Sequence, residues 1–223
     1  MFQRAIDIDP SYAAAYAELG LTLCEAVASG WTQFIGDDLA RAETLAQKAL
    51  SLDSASTTAY RLLAEVHMAR RNFDLALGQI DRALAINPSD AESFSMRGAL
   101  LVWAGRAAEA LRWLEGALRL DSANARATFY LGMAYYFLDR YGQSVEALDH
   151  ALAGNLGRNT QIAGRSVLAA AYAQLDRRPD AERERTAVTR IAPFQNAERF
   201  ASQFGTQTAH DHMLEGLNKA GFH

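Results

Sequence analysis

Residues 57–90 read TTAYRLLAEVHMARRNFDLALGQIDRALAINPSD, and residues 91–124 read AESFSMRGALLVWAGRAAEALRWLEGALRLDSAN. Laid over one another, the two stretches put Ala64 on Gly98, Ala76 on Ala110 and Ala83 on Ala117, each pair 34 residues apart. The step continues outward. Small residues recur at Ala64, Gly98 and Gly132, then at Ala169; a second series runs Ala42, Ala76, Ala110, Ser144, Ala181; a third runs Ala49, Ala83, Ala117, Ala151. Three series in phase at one period describe stacked copies of a two-helix unit. Such an array offers a surface rather than one enclosed core, because each copy contacts only its neighbours.

Each copy opens with a helix carrying a Leu-small pair: Leu19-Gly20, Leu63-Ala64, Leu131-Gly132, Leu168-Ala169. It closes with a helix carrying a pattern such as Lys48-Ala49-Leu50 or Arg82-Ala83-Leu84. A stop follows at Asp9-Pro10, Asp53-Ser54, Asn87-Pro88, Asp121-Ser122 and Ala192-Pro193. Proline cannot continue a helix, and Asp, Asn or Ser can cap the next one. Short polar turns, Arg70-Arg71-Asn72 and Ala104-Gly105-Arg106, join the helices of a pair and make them antiparallel. The small residues let helix backbones approach, and Tyr60, Leu63, Phe73, Ile80 and Leu84 fill the groove.

These residues resemble the tetratricopeptide repeat. Residues 57–90 carry the pattern at Tyr60, Leu63, Ala64, Phe73, Ala76, Ile80, Ala83 and Pro88. Residues 125–158 carry it at Leu131, Gly132, Tyr135, Tyr141 and Ala151. Residues 91–124 follow it except at Arg97, where the family usually has leucine. The resemblance implies an all-α, right-handed superhelical solenoid of antiparallel helix pairs. It divides the chain into the second half of an incomplete repeat (1–12), five repeats over 13–195 (13–56, 57–90, 91–124, 125–158, 162–195) and capping helices over 196–223.

The departures from the period are informative. The first repeat has about ten extra residues, expected within Val27 to Asp37, which would lengthen its first helix or its turn. The fifth needs three more near 159–161, and its second helix, Ala181 to Ile191, is polar. Arg185 stands there where Ile80, Leu114 and Leu148 stand in earlier copies. In the front half repeat, Phe2, Ala5, Ile6 and Ile8 form an apolar stripe with no first helix to cover it. Self-association through that stripe, or sequence upstream of Met1 in a longer protein, is the expectation. At the other end, Asn196 to Phe204 and Thr208 to Ala220 read as two helices capping the stack, since solenoids need polar-faced caps.

That tail supports a narrower resemblance. Glu198-Arg199-Phe200 together with Leu214-Glu215-Gly216-Leu217-Asn218-Lys219-Ala220-Gly221 looks like the end of bacterial regulators that join a class III adenylate cyclase domain, or a winged-helix domain, to a tetratricopeptide array. The long first repeat with Gly30-Trp31 looks like those arrays too. The resemblance implies a regulatory C-terminal segment of a larger signalling protein; no cyclase residue falls within this chain.

Chemistry elsewhere is sparse. The net charge of −4 provides no basic field for nucleic acid or an anionic membrane, and neither is an expected partner. The lone Cys24 rules out an intramolecular disulfide and any cysteine-based zinc cluster. No stretch approaches a membrane span. Met1-Phe2-Gln3-Arg4 does not open a secretory leader, so a cytoplasmic protein is expected. His210 and His212, two apart, point to different faces of a helix and cannot grip one metal as an i, i+4 pair does. Ala153-Gly154-Asn155-Leu156-Gly157 follows a helix and lacks the lysine of a phosphate loop. Asp37-Asp38 reads as the favourable acidic start of a helix. No catalytic, metal or cofactor constellation emerges, and a non-catalytic protein without cofactor is expected.

A binding groove is the better candidate. In the resembled family the first helices line the concave face. Helical spacing puts Thr58, Arg61, Glu65 and Met68 there in the second repeat, Ser95, Ala99, Val102 and Trp103 in the third, and Phe129, Met133, Tyr136 and Phe137 in the fourth. The apolar and aromatic members suit an anchor pocket for a peptide, a helix or a partner protein. The same residues equally suit packing on the next repeat or a seat for the chain's own C-terminal helix. The Lys and Asn that hold a partner's C-terminal carboxylate in chaperone-binding members are missing: Ala17, Leu21, Glu65, Ser95 and Ala99 occupy those positions.

Overall fold

The computed structural model describes residues 1–154 and 156–222. Asn155, in the glycine-flanked stretch noted above, and His223 lie outside the described residues. Thirteen α-helices succeed one another among the described residues: α1 (Phe2–Ile8), α2 (Ala13–Ala28), α3 (Ile35–Leu52), α4 (Thr57–Ala69), α5 (Phe73–Ile86), α6 (Ala91–Trp103), α7 (Ala107–Leu120), α8 (Ala125–Phe137), α9 (Tyr141–Leu152), α10 (Arg158–Gln174), α11 (Arg178–Ile191), α12 (Ala197–Ala201) and α13 (Gln207–Lys219). They pack as sequential antiparallel pairs. The chain forms two compact units, Met1–Ser93 and Phe94–His223.

In the first unit α1 lies on α2, α2 pairs with α3, and α4 packs on both before pairing with α5. Cys24, Leu39, Ala42, Ala46, Leu62, Leu63 and Val66 make its main core. The small residues act as the period implied. A Cβ on Gly20 would stand 2.2 Å from Cδ2 of Leu62. In the second unit a Cβ on Gly98 would stand 2.4 Å from Leu114, and one on Gly132 2.7 Å from Leu148. The leucine of one helix therefore occupies the space a side chain on the other would need.

Both turn types repeat with the period. At the stops, Asp9, Asp53, Asn87 and Asp121 each accept a hydrogen bond from the backbone N–H two residues on, closing the same side-chain turn. Ser56 and Asn124 then cap α4 and α8. Between the helices of a pair, one residue adopts the left-handed conformation: Gly30 (φ 68°), Arg71 (φ 62°), Gly105 (φ 76°), Asp139 (φ 58°) and Asp176 (φ 56°). Only two of these five are glycine, so the recurring device was invisible in the residue types at Arg71, Asp139 and Asp176.

The extra residues of the first repeat are not confined to one place. They lengthen α2 to 16 residues and α3 to 18, against 13 and 14 in α4 and α5, and they widen the turn over 29–34. Asp37 and Asp38 in the first turn of α3 favour its early start. Trp31 and Phe34 on this turn are 73% and 70% exposed. In the fifth repeat the added residues extend the front of α10, which runs 17 residues.

Two polar substitutions have structural answers. Arg97 lies over the Trp113 ring at 4.5 Å, with Arg112 at 5.2 Å from the same ring. Arg185 is half-buried, its stem beside Gly221 and its guanidinium on Glu182. The helix α11 does bury a charge, contrary to a simple polar, exposed reading. The Glu184 side chain is 6% exposed and receives Arg165 at 2.6 Å and Arg183 at 3.0 Å. Pairing from two sides is what makes such burial tolerable.

The first capping helix is shorter than its sequence suggests. α12 ends at Ala201, because the Gly205 N–H donates to the Trp103 carbonyl at 2.7 Å and holds 202–206 as a turn. Asn196 and Thr206 cap α12 and α13.

The close crossings make a prediction. Gly98→Leu overpacks against Leu114 and should lower stability by about 1–3 kcal/mol. Gly78→Ala, in α5 with nothing within 4 Å of the new methyl, should raise it by roughly 0.5–1 kcal/mol. Denaturant unfolding of the two variants measures both signs.

Candidate functional site

The sequence-predicted groove residues fall into both units. In the first, Arg61 is half-buried and pairs with Asp90 at 3.4 Å, while its guanidinium also reaches the Thr58 hydroxyl. Glu65 and Met68 are half-buried on the same helix, α4. Glu65 contributes, after burial, to pushing the nearby Cys24 thiol up to about 12, which keeps that thiol protonated and unreactive.

In the second unit α6 and α8 supply the rest. Ser95, Val102, Phe129, Met133 and Tyr136 are all buried, and Trp103 and Phe137 are half-buried. For Trp103, Tyr136 and Phe137 the covering groups are identifiable. The Trp103 ring stacks on Phe204 (centroids 4.9 Å apart, 25° between planes) and meets Phe200 and Tyr130 edge-on at 6.4 and 6.5 Å. Its Nε1–H donates to the Tyr130 hydroxyl at 3.2 Å. Phe137 meets Phe204 edge-on at 4.7 Å and the His212 ring at 5.8 Å. Tyr136 lies 5.0 Å from His212 and donates its hydroxyl proton to the His212 carbonyl at 3.3 Å. Trp103, Tyr136 and Phe137 are thus the seat of the C-terminal segment, whereas Phe129 is buried against Gly164 of α10. Edge-to-face and offset contacts of this kind each contribute about 0.5–1.5 kcal/mol beyond area burial.

Two glycines let the segment approach. A Cβ on Gly216 would sit 1.9 Å from the Tyr136 hydroxyl and 3.1 Å from the Ala170 methyl. One on Gly105, already in the left-handed region, would sit 2.2 Å from Thr206 Oγ1. Neither these glycines nor Phe200, Phe204, Tyr141 and His212 were among the sequence candidates. The signal available was the i, i+4 spacing of Phe200 and Phe204, which puts both rings on one helical face.

Both tail histidines are partnered rather than solvated. Tyr141 donates to Asp139 Oδ1 at 2.6 Å, so the His212 Nε2, 3.1 Å from the Tyr141 oxygen, must donate to it. Burial, and then the hydrogen bond to Asp139, raises the Tyr141 pKa; burial raises that of Tyr136. His210 places Nδ1 2.9 Å from Asp211 and Nε2 3.1 Å from Glu198, linking α13 to α12. Only the imidazolium donates from both nitrogens. The Asp211 hydrogen bond, and then that of Glu198, lifts the His210 pKa above its ordinary 6.5. No group of three or more His, Cys, Asp or Glu among the described residues could hold a metal ion. No helix among them is long and apolar enough to cross a membrane.

The raised His210 pKa sets a sign. A group with a higher pKa folded than unfolded stabilises fully below its unfolded value, and the effect is lost as pH rises through the folded one. Amides of α13 should therefore exchange with solvent more slowly at pH 5.5 than base catalysis alone predicts from pH 8. His210→Gln should abolish that excess.

Comparison with known proteins agrees with this architecture. Residues 35–100 match the family model for the tetratricopeptide repeat. No curated protein sequence matches the chain. Among solved structures it is similar to YrrB, described as a TPR protein with an unusual peptide-binding site (TM-score 0.53, 22% identity, covering 87% of this chain and 94% of that one). It is also similar to PilF of Pseudomonas aeruginosa (0.63, 23%, 93% and 90%). A third likeness is to the Cut9–Hcn1 hetero-tetramer of the APC/C (0.74, 14%, 98% and 42%). At these identities the likeness is one of fold. Residues 35–100 thus carry the tetratricopeptide repeat by the family model, and over most of its length the chain shares the fold of tetratricopeptide-repeat proteins.

Proposed function

We propose that the chain is a non-catalytic interaction module that holds a helix or peptide of a partner protein on the first-helix face of its second unit. The observation that carries this reading is the aromatic set Trp103, Phe129, Tyr130, Tyr136 and Phe137 on α6 and α8, all on helices that begin a repeat. Aromatic anchors in desolvated pockets dominate interface energetics. The face accepts the bend at Phe204 and Gly205 through ring contacts and a backbone hydrogen bond, and the α13 helix that follows it through the Tyr136 and Phe137 contacts with His212. The likeness to YrrB, a peptide-binding protein of this fold, supports the same class of ligand.

Affinity capture from the native cell, with the intact chain as bait, tests the reading. Trp103→Ala with Phe137→Ala should abolish capture of the specific partner while circular dichroism shows the helices retained. Capture indifferent to that double substitution places the partner elsewhere on the chain.

A further inference from the structure

A cap that extended the stack would sit on the last pair as the next repeat does. α4 illustrates this, since it packs on both helices of the pair before it, α2 and α3. The C-terminal segment behaves differently. α13 packs on α10 and reaches α8, both first helices of their pairs, while the turn before it binds Trp103 on a third first helix, α6. Residues 197–222 thus run along the first-helix face of the second unit instead of continuing the array. A tether carries them there. In Ala192-Pro193-Phe194-Gln195-Asn196 the proline breaks the helix and Phe194 is 85% exposed, packed on neither side. The segment is also internally tied: His210 on α13 bonds Glu198 on α12, so the two helices hold together as one body.

We infer that residues 197–222 are a built-in ligand of this face, seated where a partner's helix binds, and that partner binding displaces them. The inference rests on the reading of the face as a partner site. It also states what the partner looks like. It is a short helical turn carrying one phenylalanine, then a bend carrying a second four residues on, as Phe200 and Phe204 do, with the next backbone N–H free to reach the Trp103 carbonyl. Phe204 fills the space between Trp103 and Phe137. Charge at the rim is complementary. His212 faces Asp139 at 3.5 Å and Lys219 faces Asp176 at 3.5 Å, so the seat presents acids and favours a ligand with basic residues beyond its aromatic anchors. Glu215 and Tyr141 also face this rim.

The experiment uses the full chain and, as probe, a fluorescent synthetic peptide of residues 196–222. Gly216→Leu drives a side chain into the Tyr136 hydroxyl, and Phe204→Ala empties the space between Trp103 and Phe137. In either variant, amide exchange within 197–222 should accelerate and the probe should bind at least about tenfold tighter than to the unaltered chain. Adding Trp103→Ala with Phe137→Ala should remove that binding. Phe204→Ala keeps the test alive if Gly216→Leu does not fold. Segment amides that stay protected in both variants overturn the proposal, because the segment is then a fixed cap. A released segment with no gain in probe binding overturns it as well, as does equal binding to variant and unaltered chain. Failure here, with capture of the cellular partner still dependent on Trp103 and Phe137, leaves the interaction reading standing. Probe binding that depends on Trp103 and Phe137, with capture indifferent to them, leaves the tail seated on this face but overturns both its displacement by the partner and the reading of the face as the partner's site.

Discussion

The structure depends on helices crossing at positions with no room for a side chain. Gly20, Gly98 and Gly132 each face a leucine that fills the volume where their own Cβ would be. Because the leucine and the glycine come from different helices, the crossing is specified twice, once by a bulge and once by a gap. The lock recurs 34 residues on from Gly98 to Gly132, and the side-chain turns at Asp9, Asp53, Asn87 and Asp121 reset the chain between pairs. The fold therefore rests on local instructions that need no distant contact to be read, which is the logic of repeat proteins.

In α6 and α8 the lock fixes a first helix on the second helix of its pair, and the aromatic residues of α6 and α8 follow from repeating that unit. Trp103 and Phe137 end their helices 34 residues apart, so the period that stacks the repeats also aligns the two rings. Phe204 then lies against both. Glycine at 105, where the equivalent turns carry Arg71, Asp139 and Asp176, and glycine at 216 let the returning segment come close enough for those rings to touch. The seat is thus a consequence of repeat geometry, and its occupant is a consequence of where small residues were kept outside the repeats.

The helices and the small-residue crossings were legible because a fixed period repeats each signal several times over, so that single exceptions such as Arg97 do not mislead. The end of α12 was not legible: Phe200 to Phe204 has helical character, but a backbone bond to Trp103, 102 residues earlier, turns the chain instead. The left-handed turn residues Arg71, Asp139 and Asp176 were hidden for the opposite reason, since the local backbone demand is met without glycine. Buried Glu184 looked like surface because its partner Arg165 is on another helix. As for the site, the aromatic residues were identifiable from helical spacing, whereas Phe204, His212 and Gly216 become part of it only through folding back of the tail.

The contact between Phe204 and Trp103 is where the repeat array, the tail and the interaction face meet. Nuclear Overhauser effects between the Phe204 ring and the Trp103 indole, measured in the intact chain with those two residues selectively labelled, test it directly. The account predicts strong cross-peaks together with a second set from the Phe204 ring to the Phe137 ring. A Phe204 ring with solvent-like shifts and no cross-peaks to either residue would contradict it.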